Sequence, residues 1–347
     1  MSSFVFNEIS FDDHEQICFV SESKSGLRAI IAIHNTLRGP AMGGCRMWNY
    51  ANEAQALNDV LRLSRGMTYK NAAADLPIGG GKCVLIGDPK HDKTPALFEA
   101  LGEALERLGG RYITAEDVGT SPSDMAHVGK QTRHVAGLGT NGDPSPYTAL
   151  GCFVGAQSAI QYHLKRNSFE GLRVAVQGLG NVGYDYARRL REAGAQLIVA
   201  DIDALASERA RIELDATVVS VDAIYDVPAD IYAPCALGAT LNLETVNRLR
   251  VSIIAGGANN QLASADIGEL VRNKGILYVP DFVINAGGIV KVCYEYLQKP
   301  ASEVEARVRK IGDTLSEIFS LADAQDLATS VVADQVAQSR FMRAKAA

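Results

Sequence analysis

Apolar positions along the chain change their rhythm near the middle. In the first stretch, residues 28–33, 83–86 and 111–114 are short apolar runs that read as strands, while 54–64 and 94–108 carry apolar residues at helical spacing. Beyond residue 151 the order is more regular. Runs at 173–177, 196–200, 231–233, 251–255 and 277–279 are separated by helical or loop-like segments, the alternation of a parallel sheet covered on both faces. After Pro300 a long helix is predicted. Ser302 and Glu305 have capping-box spacing, and Val304, Val308, Ile311, Leu315, Ile318 and Phe319 fall on one face. A last helical segment, about 330–342, has no strand after it and either packs back on the first domain or forms a subunit contact.

Between the two rhythms lies GLGTNGDPSPYTALG (137–151), whose Gly, Pro, Asn, Ser and Thr mark a linker. The expected fold class is therefore α/β with two domains. Residues 1–138 form a catalytic or substrate domain, 139–151 a hinge, and 152–324 a Rossmann domain, with a C-terminal helix (about 325–347) free to return to the first.

Composition narrows the partners. A chain of 347 residues can bury a large core, and a net charge of -6 argues against nucleic acid or anionic membrane as the main partner. The N-terminus is acidic and broken by charges, unlike a signal peptide, and no apolar run approaches membrane-spanning length. Six cysteines (18, 45, 83, 152, 235 and 293) are scattered without a CxxC pair, which suggests reduced thiols in the cytoplasm. The six histidines are equally dispersed, so His34, His127 and His134 are read as structural or surface residues, and no metal site is expected.

The clearest chemical signal is Val174-Ala175-Val176-Gln177 running into Gly178-Leu179-Gly180-Asn181-Val182-Gly183 and then a helical pattern. Strand, glycine turn and helix in that order place a pyrophosphate on a helix N-terminus. Asp201 ends the next strand at the distance where an acidic residue takes the adenine ribose hydroxyls, and its charge opposes a 2'-phosphate. NAD is the cofactor expected. Asp203 is a second candidate for the same role.

The first half holds a second signal, GMTYKNAAADLPIGGGK (66–82), with Lys70 and Lys82 twelve residues apart. It fails as a phosphate loop, because Leu76 stands where the first glycine belongs and Cys83 replaces the magnesium-holding hydroxyl. A lysine behind glycines can instead meet a small acid's carboxylate or, once desolvated, act as a base. A surface turn with a solvated lysine is the plainer alternative.

Taken together, GPAMGGCRMW (39–48), GMTYKNAAADLPIGGGK, TAEDVGTS (114–121), VAVQGLGNVG (174–183), APCALG (233–238), ANNQL (258–262) and INAGGI (284–289) resemble the leucine, valine and phenylalanine dehydrogenases, relatives of glutamate dehydrogenase. The resemblance implies NAD-dependent, reversible oxidative deamination of an L-amino acid, an active site in a cleft between two domains, and a homo-oligomer. By motif, Lys82 is similar to the catalytic lysine, Asp117 to the acid that moves protons at the substrate amine, and Lys70 to the lysine that pairs with the substrate carboxylate. Gly43, Gly44, Met67, Ala115, Asn260 and Ile289 resemble further substrate-binding positions. Thr148, Gly178, Gly180, Asn181, Val182, Gly183, Asp201, Cys235, Ala236, Asn259 and Asn285 resemble cofactor-binding ones, and which of Asn259 and Asn260 faces a ligand stays open. Ala115 and Ile289 resemble the leucine-type enzymes, whose stiff β-branched wall narrows the pocket. Val135-Ala136-Gly137, which lacks a threonine common in that type, and the LPIGGGK segment point toward the phenylalanine type. Leucine, with valine and isoleucine, is the expected substrate class and phenylalanine the runner-up. A non-catalytic NAD-sensing module would not need Lys70, Lys82 and Asp117 together. A 2-hydroxy-acid dehydrogenase would show a His/carboxylate pair with an arginine, and no such set is apparent.

Overall fold

Strands β1 (Gln16–Glu22) and β2 (Leu27–Asn35) pair antiparallel, and β2 is buried on both faces. Leu27, Ala29, Ile31 and Ile33 face one core while Ile30 and Ala32 face another, which is why the run reads as continuously apolar. With β3 (Ala41–Trp48), β4 (Gly79–Ile86) and β5 (Tyr112–Glu116) they make a mixed sheet in the order β1-β2-β4-β3-β5. Helix α1 (Glu53–Ala73) covers one face through Ala56, Val60 and Leu61. Helices α2 (Pro95–Glu106) and α3 (Pro122–Gly129) cover the other through Leu97, Phe98, Leu101, Leu105, Met125 and Val128.

The computed structural model describes residues 13–138 and 143–343. Their contacts fall into two compact units, one of residues 13–138, 292–300 and 337–343 and the other of 143–291 and 301–336. The second unit opens on α4 (Ser145–His163) and continues β6 (Arg173–Gln177), α5 (Asn181–Glu192), β7 (Gln196–Ala200), α6 (Ala204–Leu214), β8 (Thr217–Val218), β9 (Ile231–Pro234), α7 (Leu243–Arg248), β10 (Ile253–Ile254), α8 (Ala265–Asn273) and β11 (Leu277–Tyr278). Its six strands are all parallel, in the order β8-β7-β6-β9-β10-β11. That is the doubly wound dinucleotide-binding order, whose switch point falls between β6 and β9. Helices α9 (Asp281–Ile284), α10 (Gly287–Tyr296), α11 (Ala301–Arg309), α12 (Ile311–Gln325) and α13 (Thr329–Arg343) follow.

Three expectations change. Of the expected hinge over 139–151, residues 139–142 lie outside the described residues, and Ser145 onward is the start of α4. Pro146 is tolerated in a first helical turn, and Gly151 serves packing, since a methyl there would sit 2.8 Å from the Ile284 carbonyl. The long helix after Pro300 is two, α11 and α12, joined at Lys310, and Ser302 lies inside α11 rather than at its cap. All six residues of its expected apolar face are nonetheless buried. Domain limits differ from 152–324 because 292–300 group with the first unit and α13 is divided near residue 337.

The end of α13 docks on the end of α1. Arg340 Nη1 donates to the Ala73 carbonyl at 2.6 Å, the Phe341 ring meets Tyr69 edge-on at 5.5 Å, and Arg38 bonds both the Arg340 and Leu76 carbonyls. The end of the last helix, from residue 337, thus packs on the first unit.

Candidate active site

Lys82 lies on β4 and is buried, so the plain alternative of a surface turn with a solvated lysine fails. The glycines before it are strand rather than loop. Gly80, Lys82 and Val84 alternate onto the face under α1, and a methyl on Gly80 would meet the Thr68 backbone nitrogen at 2.1 Å. The glycine run thus brings α1 down onto the sheet, and a ligand is not needed to explain it. Asn71 fastens the contact, its Nδ2 donating to the Gly79 carbonyl at 2.6 Å. These packing demands carry α1 past Ser64, where its sequence signal stops, to Ala73.

Lys82 Nζ bonds Asp117 Oδ2 at 2.8 Å, directly beyond the end of β5. The charged partner of Lys82 is therefore a carboxylate. Gly44 makes this possible. It pairs with Ala115 in the β3–β5 register, and a methyl on it would sit 2.7 Å from Asp117 Cβ and 2.6 Å from the Glu116 carbonyl. Only a residue without a side chain leaves the aspartate room to lean over β3. Arg46, two residues on and on the same face, approaches Asp117 Oδ2 with Nε at 3.3 Å and Asp59 of α1 with Nη1 at 3.0 Å. Burial pushes the Asp117 carboxyl up, but the Lys82 ammonium and Arg46 guanidinium outweigh it and hold the group below its ordinary value.

The other first-unit candidates lie on β3, β5 and α1. Gly43 is buried against β4, where a methyl would strike the Gly81 carbonyl at 1.9 Å and Met67 Cγ at 3.1 Å, so Met67 of α1 overlies it. Lys70 stands one turn beyond Met67 in the last turn of α1, where a cation suits the helix dipole. Ala115 is buried on β5. His34 is structural, its Nδ1 2.8 Å from Thr68 Oγ1. His127 and His134 lie 3.5 and 3.9 Å from Glu99 and Glu106. Among the described residues no cluster of three potential metal ligands occurs, and no helix is long and apolar enough to cross a membrane.

In the second unit the glycine turn has distinct parts. Gly178 has φ +96°, and a methyl on it would meet the Ala236 nitrogen at 2.8 Å, while one on Gly183 would strike the Gly178 carbonyl at 2.0 Å. Above Gly180 nothing lies within 4 Å of such a methyl. Two glycines are consumed by packing and the third faces open space at the N-terminus of α5, a fit for a dinucleotide pyrophosphate. Cys235 and Ala236 follow β9 beside this turn, and burial raises the Cys235 thiol to about 11. Val182 lies over Gly257, and Asn181 Nδ2 donates to Asp143 at 3.1 Å.

Asp201 Oδ2 accepts from the Leu179 nitrogen at 2.5 Å, tying the acidic residue to the glycine turn. Asp203 is the N-cap of α6, its Oδ1 accepting from the Leu205 nitrogen. Asn285 Nδ2 donates to Asn259 Oδ1 at 2.9 Å and leaves its own buried Oδ1 without a protein partner. Asn260, next in sequence, has a left-handed backbone with φ 50°. Thr148, in the first turn of α4, lies under Gly288, a methyl there falling 2.7 Å from its hydroxyl, and Ile289 follows half-buried on α10.

Sequence reasoning missed Arg46, Asp59 and Tyr50, whose hydroxyl donates to Asp59 at 2.7 Å. Arg46 stood inside a quoted motif, and its place two residues after Gly44 on one strand was the signal available.

Comparison with known proteins shows the family. The family model described as "Glu/Leu/Phe/Val dehydrogenase, dimerisation domain" matches residues 14–134, and "Glutamate/Leucine/Phenylalanine/Valine dehydrogenase" matches 139–208 and 199–347. The chain is 47% identical to a leucine dehydrogenase of Thermoactinomyces intermedius over 97% of this chain and 93% of that one. It is 43% identical to a phenylalanine dehydrogenase of Caldalkalibacillus thermarum, covering 99% and 95%. The crystal structure of L-tryptophan dehydrogenase from Nostoc punctiforme superposes with TM-score 0.87 at 43% identity, covering 96% of this chain and 97% of that chain. Two α/β units, one with a buried lysine bonded to an aspartate and one with a dinucleotide turn, are thus those of an amino-acid dehydrogenase, and the chain belongs to the glutamate/leucine/phenylalanine/valine dehydrogenase family.

Proposed function

We propose that the enzyme catalyses the NAD-dependent, reversible oxidative deamination of branched-chain L-amino acids, leucine first and valine and isoleucine also, to the 2-oxo acid and ammonia. The observation that carries the chemistry is the pair of buried Lys82 and half-buried Asp117, with Gly44 against Asp117 and Met67 over Gly43. Lys70 pairs with the substrate carboxylate, near the backbone of Gly43 and Gly44. Asp117, an acceptor, takes a proton from the substrate amine so that the nitrogen lone pair can drive hydride loss from the α-carbon. What NAD supplies when bound is the hydride acceptor. Lys82 then activates the attacking water and stabilises the oxyanion developing on the carbinolamine, and Asp117 returns a proton to the departing ammonia. Thr148, Asn259 and Asn285 orient the nicotinamide, and Asn260 lies on the substrate side.

Leucine is favoured by Ala115 and by the stiff β-branched Ile289. The phenylalanine and tryptophan dehydrogenases at 43% identity support an aromatic amino acid as the second reading. In an apolar pocket a methylene is worth only about 1–3 kcal/mol, so discrimination among the branched-chain acids is incomplete. Specificity constants for leucine, valine and phenylalanine decide between the readings. Leucine is expected to lead by roughly tenfold or more over phenylalanine, and phenylalanine leading overturns the assignment.

Asp201 supports NAD over NADP, because a carboxylate already bonded to the Leu179 nitrogen meets a ribose hydroxyl as acceptor and a 2'-phosphate as a like charge. kcat/KM is expected to favour NAD, and Asp201→Ser to narrow the gap. An NADP preference in the unaltered enzyme refutes this. The matched dimerisation domain supports self-association as a homo-oligomer, and six free cysteines suit a reducing cytoplasm.

A further inference from the structure

We propose that Arg46 is a positioning residue for proton transfer, holding Asp117 Oδ2 from β3 as Lys82 holds it from β4, while Asp59 and Tyr50 keep Arg46 itself in place. The inference rests on the reading of Asp117 as the proton-transfer acid. Its basis is a continuous chain of bonds across three elements. Tyr50 donates to Asp59 Oδ2 at 2.7 Å, Arg46 Nη1 reaches the same oxygen at 3.0 Å, Arg46 Nε lies 3.3 Å from Asp117 Oδ2, and Lys82 Nζ lies 2.8 Å from that oxygen. One oxygen of Asp117 therefore stands between two cations on different strands. A carboxylate held by both cannot swing fully onto Lys82, which keeps its second oxygen oriented for a substrate amine. Asp59, with its side chain 15% exposed, gives one oxygen to Arg46 and Tyr50 and the other to Arg62 Nη2 at 3.3 Å, so it is itself held in place from α1.

The groups facing Asp117 divide simply. Lys82 comes from β4 and Arg46 from β3, with Asp59 of α1 behind the arginine. Cys45, Tyr50 and Tyr112 lie within electrostatic range of it, Cys45 and Tyr112 from the opposite face of the sheet, and all three keep their protons at neutral pH. The Cys83 hydrogen bond and burial raise Cys45, and burial foremost raises the two tyrosines. Removing Arg46 takes away one of two stabilising cations, so the Asp117 carboxyl must titrate higher.

The outer side of Arg46 opens to a cavity of about 710 Å³ lined also by Trp48, Tyr50, Asn58, Asp59 and Val118. A small cation can enter there, which gives the test. In Arg46→Ala, kcat is expected to fall about 10–100-fold with the amino-acid KM within about threefold. The acidic limb of its pH profile moves to higher pH, and millimolar guanidinium restores part of kcat and moves the limb back. Guanidinium should leave Lys82→Ala inactive. Asp59→Asn should show the same limb shift to a smaller extent, and it keeps the idea testable if the alanine variant folds poorly. A folded Arg46→Ala enzyme with unchanged kcat and pH profile, or one altered only in KM, overturns the proposal. Near-normal turnover in Asp117→Asn instead removes the reading beneath it, an outcome separate from the arginine result.

Discussion

Replacing Lys82 with alanine is expected to lower kcat by about 10³-fold or more, within the range for losing a positioned proton-transfer group, while NAD still binds. The separation follows from the architecture, because Lys82 belongs to β4 of one unit and the glycine turn after β6 belongs to the other. NAD binding by fluorescence quenching and leucine turnover by NADH absorbance read the two effects independently, and near-normal turnover refutes the catalytic role. The variant also loses stability in a defined pH window. Asp117 titrates lower in the folded protein than its ordinary 3.8, so its ionisation stabilises the fold above that value, and the contribution is lost as pH falls through the depressed folded value. Without Lys82 that contribution shrinks to what Arg46 maintains. The stability difference between the native enzyme and Lys82→Ala is therefore full at neutral pH, about 1–3 kcal/mol for a partly exposed carboxylate that keeps one partner. It closes in strong acid. Urea unfolding at neutral and acidic pH measures both ends.

The second large effect is expected from a single methyl group. Gly44→Ala places it 2.6 Å from the Glu116 carbonyl and 2.7 Å from Asp117 Cβ, neither of which is the flexible end of a long side chain. Overpacking of this kind costs about 1–3 kcal/mol. The aspartate must move away from Lys82, and misplacement by an ångström can cost about 10²-fold in rate. If Gly44 acted solely as a backbone contact for the substrate carboxylate, the same variant would raise KM and leave kcat and unfolding unchanged. A denaturation midpoint and a kcat–KM pair on one preparation distinguish the two roles.

Much of the site was legible because its parts are local. The Rossmann turn is a contiguous string whose glycines have separate duties, and Asp201 follows one strand later. Lys82, Asp117 and Lys70 lay within quoted motifs. Their meeting was not legible, since Lys82 and Asp117 are joined by the register of β4, β3 and β5. The same holds for Arg46 and Asp59, thirteen residues apart in sequence and brought together by a strand passing under a helix.

The sequence by itself determined the alternation of elements, the dinucleotide turn and the residue types that do chemistry, because these depend on neighbours a few positions away. Tertiary structure decided what the glycine run before Lys82 is for, where α1 ends, and that Ser145 starts a helix instead of finishing a hinge. Each of those outcomes depends on close approach between distant segments. A missing side chain reads as flexibility in one dimension and becomes, in three, the space that another backbone fills.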